Sequence, residues 1–145
     1  MKKILLCATA GVLLCAGLTG TAYAADATEQ SLATCYKQAQ NSPEKLTRCL
    51  NQEHDFIKKE YKDVTERVFL LAKAFDKKKN SRGTTDLHLK SNQAFESYVE
   101  RECSVMERLN EGDRTDQKNE ELSCEINLYR MRIDMLENRF LSAAK

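Results

Sequence analysis

The sequence predicts an all-α fold, an antiparallel up-down bundle of about four helices built from two disulfide-stapled helical hairpins. Apolar residues recur at steps of three and four along the chain, and no segment alternates with a period of two. Helix breakers are rare, because after residue 24 the chain has one proline, Pro43, and two glycines, Gly83 and Gly112. These breakers mark three turns and therefore four helices.

Residues 1–24 have the pattern of a secretory signal peptide. Lys2 and Lys3 precede an apolar run, and a small-x-small triplet ends at Ala24, where we expect cleavage. A membrane anchor is the alternative, but the run is short and interrupted by glycines. The expected mature chain, 25–145, is one periplasmic or secreted domain with no stable membrane insertion after the signal is removed.

The charge balance and the absence of known motifs exclude several functions. Of the 23 basic residues, Lys2 and Lys3 precede the cleavage point, which leaves 21 against 22 acidic residues. A nearly neutral chain has no overall attraction for nucleic acid. The sequence contains no metal-ligand cluster or phosphate loop, so we predict no metal and no cofactor. Carboxylate pairs occur on any solvated helix face, so nothing indicates a catalytic site, and we predict that the protein is not an enzyme.

The first helical hairpin is expected to turn at Ser42. A short helix is expected over about residues 28–40, and Ser42 followed by Pro43 is a favourable start for the second helix. Apolar side chains then continue to about residue 75 or 78, a length suited to bundle packing. This seam comprises Leu46, Leu50, Ile57, Tyr61, Val64, Val68, Leu71 and Phe75.

The second hairpin is expected to follow a polar loop. The stretch DKKKNSRGTTD, residues 76–86, has no apolar periodicity, and Asp86 is a candidate cap for the third helix. That helix extends to about Leu109, where Gly112 provides a left-handed stop. The fourth helix begins near Thr115 and has the clearest periodicity of the chain. Its stripe comprises Leu122, Ile126, Tyr129, Ile133, Leu136 and Phe140.

Two further patterns bear on the core. Aromatic residues at helical spacing are interpreted as core residues rather than as a ligand-binding box. Glu53 and His54 interrupt the apolar seam of the second helix. Such a gap can mark a buried polar site, but the short first helix favours a face exposed to water. The aromatic set comprises Tyr36, Tyr61, Phe75, Phe95, Tyr98, Tyr129 and Phe140.

The cysteines predict two disulfides. An even number of thiols after an export signal is typical of disulfides in an oxidising compartment. Cys35 and Cys49 lie seven residues on either side of Ser42, and Cys103 and Cys124 lie about symmetrically around Gly112. Each pair would therefore meet on adjacent antiparallel helices. Crossed pairings are also allowed, because both turns lie at one end of the bundle, but the symmetry favours the local pairs. The four cysteines are Cys35, Cys49, Cys103 and Cys124.

Residues around these cysteines form a recognisable pattern. It comprises Cys35, the RCL run of 48–50, Ile57 and Tyr61, then Gln93, Phe95, Tyr98, Cys103, Cys124, Leu128, Arg132 and Leu136. The pattern resembles the LprI-like lysozyme inhibitor family from about Cys35 to Leu136. Lys58 stands where asparagine is usual, and Phe95 stands where tryptophan is usual. The resemblance implies a small exported helical domain that binds a protein partner, with lysozyme as the candidate.

Two charged clusters are candidate partner-binding residues. Helix dipoles alone explain much of both clusters, since lysines favour a helix C-terminus and acids a helix N-terminus. Against a cationic muramidase, the acidic residues would steer association, or the basic loop would enter the carboxylate-lined cleft, and the sequence does not decide between them. The basic cluster comprises Lys77, Lys78, Lys79 and Arg82, and the acidic cluster comprises Glu111, Asp113 and Asp116.

The sequence leaves two functions open. The first is an inhibitor of lysozyme or a related muramidase that acts by occlusion. The second is a periplasmic structural or adaptor module, in envelope or secretion pathways, with a partner that is not an enzyme. The oligomeric state is left open.

Overall fold

The computed structural model describes residues 32–142, and every regular element within them is helical. Residues 32–39 form α1. The longer elements are α2 (Pro43–Lys79), α3 (Gly83–Leu109), α4 (Arg114–Leu136) and a π-helical turn (Glu137–Leu141) that continues α4. The expected all-α fold is confirmed. The signal peptide predicted for 1–24 and the expected start of the first helix near residue 28 lie outside the described residues.

Side-chain contacts define the direction of each long helix. Thr47 of α2 donates a hydrogen bond to Asn119 of α4, and Arg67, further along α2, lies 3.3 Å from Glu137, which follows α4. The helices α2 and α4 therefore run parallel. His88 of α3 contacts the carbonyl oxygen of Thr65, whereas later residues of α3 contact earlier residues of α2, so α3 runs antiparallel to both. This is the up-down order expected of two consecutive hairpins.

Both local disulfides are present. Cys35–Cys49 joins α1 to α2, and Cys103–Cys124 joins α3 to α4, each with a Cα–Cα distance of 5.5 Å. That distance lies in the usual range for a disulfide. The two bridges lie at the same end of the bundle, next to the turns at Ser42 and Gly112, and we call this the disulfide end. The local pairing favoured by the sequence is confirmed.

The turns differ in part from expectation. Ser42 caps α2 and Pro43 occupies its first turn, as predicted. Gly112 is not a left-handed stop, since α3 ends at Asn110 in an extended conformation and no described glycine has a positive φ. Glycine is needed there for space, because a Cβ atom would lie 2.7 Å from the side-chain oxygen of Asn110 and from Cβ of Asp116.

The polar loop predicted for residues 76–86 is much shorter. Helix α2 continues to Lys79 and α3 begins at Gly83, so only residues 80–82 connect them. Asn80 ends α2 in the left-handed conformation, which asparagine tolerates well. Asp86 is not the cap of α3, because the helix begins three residues before it and a different carboxylate satisfies its first N–H groups.

The core is formed mainly by α2 and α4. Tyr61 and Tyr129 are buried with their ring centroids 5.0 Å apart, and Phe95 packs on both. The prediction that all seven aromatic residues are core residues is wrong for Tyr36, Phe75, Tyr98 and Phe140, which are about half exposed. For Phe75 and Phe140 the reason is that α1, as described over residues 32–39, lies at the disulfide end, so within residues 32–142 only α2, α3, α4 and the π-helical turn form the opposite end. No helix within residues 32–142 is both long enough and apolar enough to cross a membrane.

Candidate partner-binding site

The predicted basic residues gather at the end of the bundle opposite the disulfides, which we call the basic end. Lys77, Lys78 and Lys79 lie in the last turn of α2, and Arg82 lies just before α3, all exposed. Among residues 32–142, none of the four has a carboxylate oxygen within 4 Å. Their charges are therefore available to a partner, although the lysines also favour the C-terminus of α2.

Asp76 holds the short connection of the basic end in place. Its buried carboxylate accepts hydrogen bonds from the N–H groups of Thr84 (3.1 Å) and Thr85 (2.8 Å) and from the hydroxyl of Ser81 (3.0 Å). It therefore caps α3 from the end of α2. Burial alone raises the pKa of a carboxyl, but the hydrogen bonds from Thr85 and Thr84 outweigh it and hold the pKa of Asp76 well below its usual value.

An apolar groove of about 640 Å³ adjoins the basic end, between α2, α3 and α4. Phe75, Leu87 and Phe140 expose about half or more of their surface there. Such clusters on a protein surface commonly mark binding sites. The groove is lined by Val68, Leu71, Ala72, Phe75, Thr84, Leu87, His88, Ser91, Arg132, Met135, Leu136, Arg139 and Phe140.

Arg132 forms a fixed cation in this groove. Its Nη2 donates to Ser91 Oγ (2.9 Å) and to Asn92 Oδ1 (3.4 Å), and its guanidinium lies 5.3 Å from the ring centroid of Phe95. Its Nε is buried and has no hydrogen-bond partner among the described residues. Stacking and hydrogen bonding together restrict the side chain to one orientation.

The predicted acidic residues lie at the disulfide end. Asp113 caps α4 by accepting hydrogen bonds from the N–H groups of Thr115 (2.7 Å) and Asp116 (3.0 Å). Asp116 occupies the first turn of α4, and Glu111 is exposed. The acidic and basic clusters thus lie at opposite ends of the bundle. Two of the three acids are engaged in starting a helix, so their presence has a structural explanation.

A layer of paired charges lies between α2 and α4. His54 bonds Glu125, and Arg130 contacts Glu60 (2.7 Å) and Glu53 (3.3 Å). We call these residues the polar layer. The expectation that Glu53 and His54 face water is wrong, because that face of α2 packs on α4. In the sequence, the interruption of the apolar seam of α2 at Glu53 and His54 indicates this layer. The hydrogen bond from His54 lowers the pKa of Glu125, despite the opposing effect of burial.

A second cleft, of about 600 Å³, opens between α2 and α3 and is also lined by Glu125 and Tyr129 of α4. Lys58 and Lys62 face Glu96 and Glu100 across it, so positive and negative charges are mixed. Burial first, and then the charge of Glu96, raises the pKa of Tyr61 to about 12, so its hydroxyl stays protonated at neutral pH. No group of three His, Cys, Asp or Glu side chains within residues 32–142 is arranged to hold a metal ion.

One comparison with known proteins identifies a match. A family model described as lysozyme inhibitor LprI matches residues 35–136, a segment that begins at the first cysteine of α1 and includes both disulfides. No curated protein and no solved structure matches the chain.

Proposed function

Because this chain belongs to the lysozyme inhibitor LprI family, we propose that it is an exported protein that inhibits lysozyme or a related muramidase by occluding the cleft, without catalysing a reaction. The single observation that carries the proposal is the family match, which spans both disulfide hairpins. The two disulfides support a location in an oxidising compartment, the periplasm or the extracellular space.

We place the inhibitory contact at the basic end. Glycosidases that cleave such glycans use two carboxylates across the scissile bond, so their clefts attract cations. The basic end offers four exposed cations that have no carboxylate oxygen within 4 Å among residues 32–142. Three of them lie in the last turn of α2, and Arg82 lies in the three-residue connection that Asp76 holds in place. A rigid contact loses little conformational entropy when it binds.

The acidic cluster has a secondary role in this proposal. Asp113 already accepts two hydrogen bonds from the start of α4, so it has less capacity left for a partner. Exposed charges at the rim of an interface mainly change the association rate and its dependence on salt. Glu111 and Asp116 would therefore steer a cationic muramidase rather than bind its cleft.

The test is an assay of cell-wall lysis with the purified, oxidised protein. We expect it to inhibit lysozyme in a saturable manner, and we expect the triple exchange of Lys77, Lys78 and Lys79 to glutamate to abolish inhibition. A matched control exchanges three exposed lysines elsewhere, Lys37, Lys45 and Lys59, to glutamate and so makes the same change in total charge. The control variant should inhibit like the wild type at high salt, where steering is screened.

Two results would contradict the proposal at different levels. Equal inhibition by the basic-end variant and the wild type would remove the basic end as the contact but leave the function. No inhibition of several lysozyme types by the wild-type protein would remove the function and favour an adaptor module with a partner that is not an enzyme.

A further inference from the structure

Large apolar side chains are exposed in the apolar groove of the part of the chain that the structure describes. Leu87 is 70% exposed, Phe75 50% and Phe140 46%, and all three line the same groove. Single exposed apolar residues are normal on a protein surface, but a cluster in a concave site is typical of ligand binding. Nothing in the proposed inhibition requires this groove, so it calls for a separate explanation.

The charged side chains that line the groove within residues 32–142 are both cations. Arg132 and Arg139 line it, and no aspartate or glutamate is among its lining residues. Asp76, which lies beside Thr84, has both carboxylate oxygens occupied by hydrogen bonds. The second cleft differs, because its lysines face carboxylates. The groove therefore complements a ligand with an apolar body and a negative charge.

Arg132 provides the place for that charge. Ser91, Asn92 and Phe95 hold its guanidinium in position, so little ordering is needed on binding. Its Nη1 has no hydrogen-bond partner within residues 32–142. A guanidinium binds a carboxylate through charge-assisted hydrogen bonds, which are stronger than neutral ones.

The dimensions of the groove limit the ligand. From Arg132 to Phe140 the chain advances eight residues, at most about 12 Å at the α-helical rise because the last part is a π-helical turn. This length matches an extended alkyl chain of up to about ten carbons. A helical peptide is a less suitable ligand, because an α-helix is about 10 Å wide. Its carboxylates would reach the rim near Arg139 rather than Arg132, which lies between α3 and α4. A second copy that presents the same groove would bring like charges together.

We propose that this groove binds a single-chain fatty acid of medium length, with its carboxylate on Arg132 and its tail extending past Leu87 and Phe75 to Phe140. The site is independent of muramidase inhibition. Charge complementarity and the unpartnered apolar lining carry the proposal.

Isothermal titration calorimetry of the oxidised protein with dodecanoate, below its micelle concentration, tests it. We expect one site with a micromolar dissociation constant. Each methylene removed should weaken binding about fourfold, so octanoate should bind about two hundredfold more weakly. Dodecyltrimethylammonium has the same tail and the opposite charge, and it should not saturate the site.

Two variants on one helix give a matched comparison. Leu87→Glu places a carboxylate in the groove and should abolish binding of dodecanoate. Leu109→Glu makes the same change on α3 at a residue that is 71% exposed and lies outside the groove, and it should leave the affinity unchanged. Arg132→Gln should weaken dodecanoate about tenfold, since a charge-assisted hydrogen bond is lost. Far-UV circular dichroism checks that each variant is folded.

The proposal is overturned if dodecanoate does not bind, if the cationic amphiphile binds equally well, or if Leu87→Glu leaves binding unchanged. Binding of an acidic amphipathic peptide that Leu87→Glu abolishes, in the absence of dodecanoate binding, would replace the fatty acid by a protein ligand.

Discussion

The two ends of the bundle are held together in different ways. At the disulfide end, two covalent bridges tie α1 to α2 and α3 to α4, and α1 adds a fourth helix over the core. Among residues 32–142, three helices and no disulfide lie at the basic end, and the turn there depends on hydrogen bonds to Asp76. Large apolar side chains stay exposed only a few residues from that turn.

This difference indicates a division of roles. Stability is concentrated at the end where we place no main binding contact, which leaves the other end free to expose cations and apolar side chains. Binding surfaces are commonly taken from the less stable parts of a fold. The comparison can be tested by removing, one at a time, the interactions that distinguish the two ends.

The largest effect is expected from the disulfide that joins α3 to α4. Replacing Cys103 and Cys124 together by alanine removes a constraint on the unfolded chain worth about 3 kcal/mol. Cys103 is also fully buried, so the variant loses packing within the core. Urea denaturation should show the loss in the free energy of unfolding. An unchanged midpoint would contradict the view that the disulfide end stabilises the fold.

The next effect is expected from the polar layer between the two ends. Arg130→Ala leaves Glu53 and Glu60 without their cation in a partly buried site, and we expect a loss of about 2 kcal/mol, less than for a fully buried pair. Exchange of Arg67, whose ion pairs are exposed, is the matched control and should cost less than about 1 kcal/mol. Equal losses of stability for the two variants would show that the ion pairs of the polar layer are as solvated as those of Arg67.

A smaller effect is expected from the cap of the basic end. Asp76→Asn keeps the shape of the side chain but loses its charge, and the melting temperature should fall by about 5 °C. Hydrogen exchange should increase first at Thr84 and Thr85, whose N–H groups bind the carboxylate. An equal increase in hydrogen exchange at Cys103 would mean that Asp76→Asn disturbs the fold beyond the turn between α2 and α3.

The acid stability of the same residue gives an independent measurement. The folded pKa of Asp76 lies below the unfolded value of about 4. Its contribution is therefore complete above about pH 4 and is lost as the pH falls through the folded pKa. The difference in stability between the wild type and Asp76→Asn should be constant at neutral pH and should narrow below about pH 4. A constant difference down to pH 2 would contradict the low pKa.

The smallest effect on stability is expected for the exposed apolar side chains of the groove. Leu87→Ser removes a side chain that makes little contact with the core, so the free energy of unfolding should change by less than about 0.5 kcal/mol. Ile126→Ser, at a fully buried residue of α4, is the contrasting variant and should destabilise the protein severely. A large loss for Leu87→Ser would indicate that the groove belongs to the core.

The sequence predicted what depends on local spacing. Cys35 and Cys49 are symmetrical about Ser42, so helical geometry alone brings them together. The start of α2 and the stripe of α4 follow from caps and periodicity in the same way. These features involve interactions between residues that are near in sequence or related by one turn.

What the sequence did not predict depends on contacts between helices. Asp76 lies in a run of polar residues whose pattern predicts a loop. Only the folded turn shows that its carboxylate caps α3. Phe75 and Phe140 are about half exposed although they continue the apolar stripes of α2 and α4, because periodicity does not show which part of a stripe a neighbouring helix covers. The pairing of His54 with Glu125 could not be predicted, because the sequence does not show which side of α2 packs against α4. The roles of Lys77, Lys78 and Lys79 in binding stay a prediction.

Each bridge closes within its own hairpin, at sequence separations of 14 and 21 residues. In the exported protein that we propose, Cys35 and Cys49 would enter the oxidising compartment and form their disulfide before Cys103 and Cys124 arrive there. Sequential emergence favours the correct partner at each stage, because no later cysteine is yet available to compete. The order of the cysteines along the chain would thus direct oxidative folding without the need for an isomerase.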